Sequence, residues 1–219
     1  MIKCVIFDMD GVIVDTEPVH HFAYKQHFEQ LKIDVSPEMY ASFTGNSTKN
    51  IYQKIKSIYS LSESVDQLVQ QKRFFFNDAF ERKNDLKLLD GVLQLIQDLH
   101  QNGFQLILAS SSAMQTIDRV FERFDLNQYF DYKVSGEDFE FSKPHPAIFL
   151  HAASLSNFKK SNCIVIEDST NGVKAANAAE IFCVGYYSLH SKLQDLSTAN
   201  FTINHFDELN AKLISIIND

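Results

Sequence analysis

Residues 3–16 read KCVIFDMDGVIVDT, and the interpretation of the whole chain starts from them. The apolar run at 5–7 predicts a strand that is buried on both faces, as in a parallel sheet. Asp8 and Asp10 follow this strand, and alternating residues of an extended chain point the same way, so both carboxylates can face one ligand. Two anions this close repel each other unless a cation or a proton is present. The stretch therefore predicts a divalent-metal site, with an acidic loop capping the next helix as the alternative.

Three later stretches place further polar groups at the ends of predicted strands. A strand at 104–110 opens into three serines, and Lys143-Pro144 precedes a helix. A strand at 163–166 ends in Glu167 and Asp168. Ligands of open parallel sheets bind beyond the carboxyl ends of the strands, which is where these groups would lie. Each stretch alone is weak, since serines also cap helices and a lone lysine is usually a solvated surface charge.

In this order, the acid pair, the hydroxyl, the lysine and the second acid pair resemble the four motifs of the haloacid dehalogenase superfamily of phosphotransferases. The chain looks like the β-phosphoglucomutase-like subfamily, which contains sugar-phosphate phosphatases and mutases, and the resemblance covers nearly the whole chain. It implies an α/β fold, namely a Rossmann-like doubly wound parallel sheet with an inserted α-helical cap. Dehalogenases of the superfamily need no metal and normally lack the second acid, so Asp10 and Asp168 argue against that activity.

The pattern along the chain agrees with this organisation. Residues 17–83 have helical spacing with no evident strand, and Ser36 and Ser47 have the character of helix N-caps. From residue 85 onward, strand and helix patterns alternate as in a parallel α/β sheet. We therefore predict a core domain at 1–15 and 85–219 and a helical cap domain at 16–84, with hinges at 15–17 and 84–85.

Composition limits the partners. The chain has 219 residues, 45% of them hydrophobic and 22% charged, with a formal charge of −8, so it can bury a core but lacks the basic surface of nonspecific nucleic-acid binding. No apolar run has the length of a membrane span, and the start lacks a signal-peptide pattern. Cys4, Cys163 and Cys183 fall in predicted core strands and are expected to be free and buried. We expect a cytoplasmic monomer whose partner is a small phosphorylated metabolite.

The resemblance assigns roles to the motif residues. Asp8 would be the nucleophile that forms an aspartyl-phosphate, and Asp10 the general acid and base, with a raised pKa while Asp8 stays ionised. Ser110, with Ser111, would hydrogen-bond the phosphoryl group. Lys143 would neutralise its charge, since the following proline keeps this residue extended and out of the helix.

The cofactor implied by the resemblance is Mg²⁺, which suits an all-oxygen site of carboxylates, phosphate and water. The expected ligands are Asp8, Asp168 and the backbone carbonyl of Asp10. Glu167 is included as a candidate ligand, direct or through water, and a supporting or helix-capping role for it is an equal alternative.

The cap residues bear on which reaction follows. His20 stands where related mutases carry a histidine that couples substrate binding to cap closure, although a plain surface histidine is an equal alternative. Mutases clamp a second phosphate with basic cap residues, and here the candidates are Lys49, displaced by one position, and Arg73. Since part of this clamp is missing, we favour a Mg²⁺-dependent phosphatase of a small phosphorylated sugar or polyol. The alternatives are a β-phosphoglucomutase-type phosphohexomutase, a non-catalytic phospho-switch, and a binding protein.

Overall fold

The computed structural model describes residues 1–188 and 191–217, and within these ranges six parallel strands form one sheet. The strands are β1 (Cys4–Phe7), β2 (Gln105–Ser110), β3 (Tyr132–Ser135), β4 (Cys163–Glu167), β5 (Phe182–Tyr186) and β6 (Phe201–Ile203). Their order is β3-β2-β1-β4-β5-β6, which is the doubly wound order. The predicted fold class is confirmed.

Strand β1 lies at the point where the chain turns from one half of the sheet to the other. Cys4 pairs with Gln105 of β2 on one side and with Cys163 of β4 on the other. Crevices for ligands form beyond the carboxyl ends of the strands at such a switch point. The residues that follow β1 therefore lie at the place where a site is expected.

Both faces of β1 are covered, as its unbroken apolar run predicts. Val5 and Phe7 pack into one apolar cluster, whereas Cys4 and Ile6 pack into another on the opposite face. The alternation follows from the extended backbone, whose successive side chains point to opposite faces. The helices that cover the two faces are α5 (Val92–Gln101), α6 (Met114–Arg123), α7 (Ala147–Leu155), α8 (Thr170–Ala178) and α9 (Ala211–Ile216). All three cysteines are free and buried, as expected.

Four helices lie between β1 and α5. They are α1 (Glu17–Leu31), α2 (Pro37–Ala41), α3 (Thr48–Tyr59) and α4 (Val65–Arg82). The Ser36 hydroxyl accepts a hydrogen bond from the Met39 N–H, and the Ser47 hydroxyl accepts one from the Asn50 N–H, as predicted for N-caps. None of the helices in the described ranges has the length and apolar character needed to cross a lipid bilayer.

The four helices have an apolar cluster of their own, centred on Tyr24, Tyr52 and Leu68. Val19 and Phe76 belong instead to the cluster on one face of the sheet, so the helices also pack on the core. We propose that residues 16–84 form a cap domain and that residues 1–15 and 85–219 form the core, with the two connections at 15–17 and 84–85 as hinges.

A buried polar network lies inside the helical cluster. His27 is completely buried; its Nδ1 lies 2.5 Å from the Tyr52 hydroxyl and its Nε2 lies 2.9 Å from the Gln71 Oε1. Burial lowers the pKa of His27 below the ordinary histidine value, and the contact with Gln71 offsets only part of this effect. The folded protein therefore favours the neutral imidazole.

We expect His27 to make the protein less stable in mild acid. Below about pH 6.5 the unfolded chain binds a proton at this histidine more readily than the folded chain, so the free energy of unfolding falls as the pH falls. In His27→Gln, which keeps a polar side chain that does not titrate, urea denaturation should show a smaller loss between about pH 7.5 and about pH 5.5. The exposed His151→Gln serves as the control. Equal losses in wild type and His27→Gln would show that His27 contributes nothing to this pH dependence.

Candidate active site

Two acid-bearing segments meet at the carboxyl edge of the sheet. Asp8 follows β1, and Asp168 follows β4, the neighbouring strand. Between them lies Gly11, with a φ of +84°, where an added Cβ would be 2.2 Å from Asp168 Oδ2. A side chain at position 11 would be strained by its own backbone and would collide with this carboxylate. The tight approach of the two segments thus requires glycine.

Lys143 lies at the centre of this edge. Its Nζ is 2.6 Å from Asp8 Oδ1, 2.8 Å from Glu167 Oε1 and 3.1 Å from the carbonyl oxygen of Ala109, and the side chain is buried. Burial alone would lower the pKa of Lys143, but the carboxylates of Asp8 and Glu167 outweigh it and raise this pKa. The lysine is therefore a permanent buried cation beside Asp8.

Both oxygens of Glu167 have protein partners. Oε1 accepts from Lys143, and Oε2 accepts from the backbone N–H and the hydroxyl of Ser169. Gly172 makes room for this carboxylate, since a Cβ there would lie 1.8 Å from Glu167 Cδ. The geometry supports the alternative in which Glu167 orients Lys143 and the start of α8, because both of its oxygens are hydrogen-bonded within the protein. Metal binding by Glu167 stays a prediction.

Asp10 has several partners that favour its anion. Its Oδ1 accepts from the Thr16 hydroxyl and lies 3.4 Å from His20 Nε2, and its Oδ2 accepts from the Ser112 hydroxyl at 2.8 Å. Burial would raise the pKa of Asp10, but the contacts with His20, Thr16 and Ser112 hold it well below its usual range.

The two neighbouring aspartates therefore differ in the direction opposite to the prediction. Burial and the nearby anions Glu167 and Asp10 raise the pKa of Asp8 to about 8, in spite of the opposing charge of Lys143. The sequence interpretation assigned the raised pKa to Asp10. It was wrong for the protein without ligands, because it did not include the hydroxyls and the histidine that surround Asp10.

The donor set at this edge suits Mg²⁺. Burial, together with the anions Glu167 and Asp8, raises the pKa of Asp168 well above its ordinary value, and a cation would relieve this repulsion. Among residues 1–188 and 191–217, no set of three His, Cys, Asp or Glu side chains is arranged as a metal cage. Mg²⁺ does not need one, because it uses one or two carboxylates and takes its other ligands from phosphate and water. Asp8 and Asp168 supply two carboxylates of this kind.

The three serines after β2 have different partners. The Ser110 hydroxyl is buried, accepts from the Ser112 N–H and donates to Asp10 Oδ2 at 3.3 Å. The Ser111 hydroxyl donates to the Gly45 carbonyl of the inserted helices at 2.7 Å. Ser112, which was not among the predicted site residues, makes the shortest serine contact with Asp10. Its place as the third of the three serines at the end of the predicted strand was the sequence signal for it.

Lys72 of α4 also reaches the site, although it was not among the predicted site residues. Its Nζ lies 2.8 Å from His20 Nδ1, and it lies over the rings of Tyr24 and Phe76. Burial lowers the pKa of Lys72 to about 7, partly offset by the charge of Asp10. The sequence signal for this lysine was its helical spacing from Leu68 and Phe76, which are buried residues of the same helix. His20 thus links Lys72 to Asp10, and the plain surface alternative for His20 is wrong.

The other two predicted cap cations lie elsewhere. Lys49 is exposed and is not among the residues that line the cavity beside Asp8. Arg73 forms an ion pair with Glu137 of the core, with its Nη2 2.7 Å and 2.9 Å from the two carboxylate oxygens. Lys49 thus faces solvent, whereas the paired Arg73 lines a second small cavity together with His20 and Ser112. Substrate binding by Lys49 and Arg73 stays a prediction.

The inserted helices cover a small cavity of about 70 Å³ above the acids. Its walls come from both parts of the chain, and the residues are Asp8, Asp10, Glu17, His20, Tyr24, Tyr40, Phe43, Thr44, Gly45, Asn46, Thr48, Ser111, Ser112, Asp168 and Ser169. The helices are held down by direct hydrogen bonds, for example from Ser142 to Ser47 at 2.7 Å and from Asn171 to the Thr44 carbonyl at 2.8 Å. These hydrogen bonds hold the inserted helices against the core above the acids.

The site thus combines two acid pairs and a buried lysine at the switch point of a doubly wound sheet, under a cover of inserted helices, which is the arrangement of an enzyme. The chain belongs to the haloacid dehalogenase-like hydrolase family, whose model matches residues 5–186. The family expectation from the sequence motifs is confirmed.

The relatives of this chain include both a mutase and phosphatases. The chain is 30% identical to β-phosphoglucomutase of Bacillus subtilis, over 84% of this chain and 82% of that protein. It is 28% identical to hexitol phosphatase B of Escherichia coli K12, over 82% and 81%. The fold also matches the crystal structure of β-phosphoglucomutase from Clostridium difficile, with a TM-score of 0.87. The two sequences are 28% identical, and the match covers 100% of this chain and 97% of that one. By contrast, the chain spans 18% of one longer relative, protein SUPPRESSOR OF QUENCHING 1, chloroplastic, of Arabidopsis thaliana.

Proposed function

We propose that this protein is a Mg²⁺-dependent phosphatase that hydrolyses a small phosphorylated sugar or polyol through an aspartyl-phosphate on Asp8. The observation that carries the proposal is the placement of Asp8, which lines the closed cavity and has the buried ammonium of Lys143 2.6 Å from one carboxylate oxygen. An anionic nucleophile and a phosphate ester repel each other, and the fixed ammonium of Lys143 beside Asp8 lowers that cost. Bound Mg²⁺ would add a second positive charge and so favour the ionised form of Asp8. The name of the relative hexitol phosphatase B supports a polyol substrate.

In the first step, a carboxylate oxygen of Asp8 forms a bond to phosphorus, and the bond from phosphorus to the alcohol oxygen breaks. The leaving oxygen takes a proton from Asp10. This role requires Asp10 to hold a proton, although its contacts with Thr16 and Ser112 favour the anion in the free protein. The negative charge of the substrate phosphoryl group beside Asp10 would raise the pKa of this carboxyl, so that Asp10 is protonated when substrate is bound.

In the second step, Asp10 takes a proton from water, and the water oxygen bonds to phosphorus while the bond to Asp8 breaks. Inorganic phosphate leaves, and Asp8 is restored. Mg²⁺, held by the carboxylates of Asp8 and Asp168 and the carbonyl of Asp10, would neutralise charge on the phosphoryl oxygens. Ser110 and Ser111 would hydrogen-bond those oxygens, their hydroxyls turning from Asp10 and the Gly45 carbonyl toward the phosphoryl group when substrate is bound.

Substrate entry requires the helical cap to open. In the closed state the Ser111 hydroxyl is bonded to the Gly45 carbonyl, and the Ser47 N–H donates to the Ser142 hydroxyl at 3.0 Å. We propose that these contacts break and re-form in each turnover by rotation about the hinges at 15–17 and 84–85. The three free buried cysteines suit a reducing compartment such as the cytoplasm, which is the proposed location. We also propose that the protein acts as a monomer.

A phosphohexomutase is the second candidate, and the contact between Lys72 and His20 is the observation that favours it. A mutase must keep water away from the aspartyl-phosphate and return the phosphoryl group to a second hydroxyl. The buried Lys72 ammonium, 2.8 Å from His20 and connected through it to Asp10, supplies a cation on the cap side that only closure brings to the site.

Two assays together separate these possibilities. With Mg²⁺ and sorbitol 6-phosphate, we expect release of inorganic phosphate that stops when the metal is removed with EDTA and returns when Mg²⁺ is added. Asp168→Asn should need much more Mg²⁺ for the same rate, because one of two carboxylate ligands is lost. A parallel ³¹P NMR experiment uses β-glucose 1-phosphate primed with glucose 1,6-bisphosphate. Growth of glucose 6-phosphate without inorganic phosphate would favour the mutase, and EDTA-resistant turnover would contradict the role of the metal.

A further inference from the structure

Two cavities lie side by side beneath the first two helices of the cap. The small one contains the acids, and the second, about 810 Å³ in volume, is lined by α1, by residues 33–41 and by part of the core at 193–194. Glu17, Tyr40 and Thr44 line both. These three residues therefore form the boundary between the space in front of Asp8 and a much larger space behind it.

Tyr40 is fixed at this boundary by its neighbours. Its ring centroid is 4.9 Å from that of His21, 5.7 Å from that of Phe43 and 6.0 Å from that of Tyr24, in edge-to-face contacts. Its hydroxyl donates to Glu17 Oε1 at 3.1 Å. Burial, with the nearby anion Glu17, raises the pKa of Tyr40, so the phenol stays protonated and remains a donor to this carboxylate.

The two sides of the boundary have different chemistry. On the side of the acids, Glu17 offers carboxylate oxygens, which accept hydrogen bonds from hydroxyl groups. On the far side the larger cavity is lined by apolar groups of Phe28, Ile33, Val35 and Pro37 and, in addition, by the charged residues Lys25, Glu29 and Asp34. The near side suits the hydroxyl-bearing carbons of a short polyol. A longer substrate could place its additional groups in the larger cavity only by passing Tyr40.

We propose that Tyr40, held by Glu17, is the residue that limits the size of the substrate. The Tyr40 ring closes the small cavity behind the phosphorylated end, and Glu17 binds hydroxyls of the alcohol portion on the near side. The substrate class that follows is a phosphate monoester of a single short polyol or monosaccharide, and esters with a second sugar ring are excluded by the ring of Tyr40. This inference rests on the proposed phosphatase function, because it concerns the alcohol that the same site releases.

The test compares two phosphate monoesters of different size, sorbitol 6-phosphate and trehalose 6-phosphate. Both carry phosphate on a primary carbon, but the first is an open six-carbon chain, whereas the second has two sugar rings. We expect wild type to prefer sorbitol 6-phosphate in kcat/KM, and we expect Tyr40→Ala to shift the ratio by about tenfold or more toward trehalose 6-phosphate, because the two cavities become continuous. The readout is a ratio of two substrates, so a general loss of activity or of folded protein cancels.

Tyr40→Phe is the matched control. It keeps the ring and removes only the hydroxyl, so the preference for the smaller ester should be retained, whereas Glu17→Gln should raise KM for sorbitol 6-phosphate more than it lowers kcat. A ratio that is the same in wild type and Tyr40→Ala, or a wild-type preference for trehalose 6-phosphate, would overturn the size limit while leaving the phosphatase intact. Absence of phosphate release from both esters with wild type and Tyr40→Ala alike would overturn the proposed function and the size limit together.

Discussion

Asp8→Asn is expected to lower phosphatase turnover by about 10⁴-fold or more, because it removes the atom that attacks phosphorus while leaving the shape of the site unchanged. The amide oxygen of asparagine can still accept from Lys143, whose Nζ lies 2.6 Å from Asp8 Oδ1 in wild type. Folding should therefore be preserved. Release of inorganic phosphate under saturating substrate measures the loss, and intact-mass spectrometry after an acid quench should detect a phosphorylated chain in wild type and none in the variant.

Asp90→Asn is the matched control, since it removes one carboxylate from an exposed turn where Asp90 pairs only with Lys87 on the surface. It should retain wild-type turnover. Two results would contradict the assignment of Asp8. One is an Asp8→Asn enzyme within about tenfold of wild type, and the other is a phosphorylated chain that still forms in this variant.

Lys143→Met is expected to abolish turnover and also to lower the free energy of unfolding by about 3–5 kcal/mol. The lysine is buried between Asp8 and Glu167, and removing one member of a buried ionic cluster leaves the others uncompensated. Methionine has a similar length and fills the space beside the Phe149 ring, where the lysine Nζ is 4.7 Å from the ring centroid. Urea denaturation without Mg²⁺ measures the stability, and phosphate release measures the activity.

The double variant Lys143→Met/Glu167→Gln separates the two effects. It removes one positive and one negative charge, so it should regain part of the lost stability while turnover stays abolished, because the cation beside Asp8 is still missing. A single variant that unfolds at the same urea concentration as wild type would show that the buried cluster does not depend on the lysine charge. Turnover restored in the double variant would show that Lys143 acts only through Glu167.

The fold could be predicted from local patterns because its periodicities are clear. The run of apolar residues before Asp8 indicates a strand covered on both faces, and the helical spacing at 17–83 indicates an insertion without strands. The acids, Ser110 and Lys143 could be placed because each follows a predicted strand or precedes a helix. The fate of Lys49 and Arg73 could not be predicted, since position along a helix does not say whether a cation faces a cavity, solvent or, as with Arg73, a glutamate of the core.

Two properties of the site depend on contacts between residues distant in sequence. Lys72 approaches His20 across 52 positions, and its altered titration follows from burial by aromatic rings that no local pattern reveals. The order of the pKa values of Asp8 and Asp10 depends likewise on Ser112, 102 positions from Asp10. The spacing of residues in the sequence identifies which groups a site contains. The pKa values of these groups depend on the residues that the fold brings into contact with them.

The central position of β1 has a consequence for how the protein is made. The strand is synthesised before both of its partners, which begin at Gln105 and Cys163, so one of its two edges remains unpaired until β4 has been synthesised. At typical translation rates this delay is on the order of ten seconds. During that time Val5 and Phe7, which end up fully buried, are exposed to other chains and to chaperones. The nascent chain should therefore depend on chaperones until β4 emerges, and amino-terminal fragments that end before β4 should aggregate.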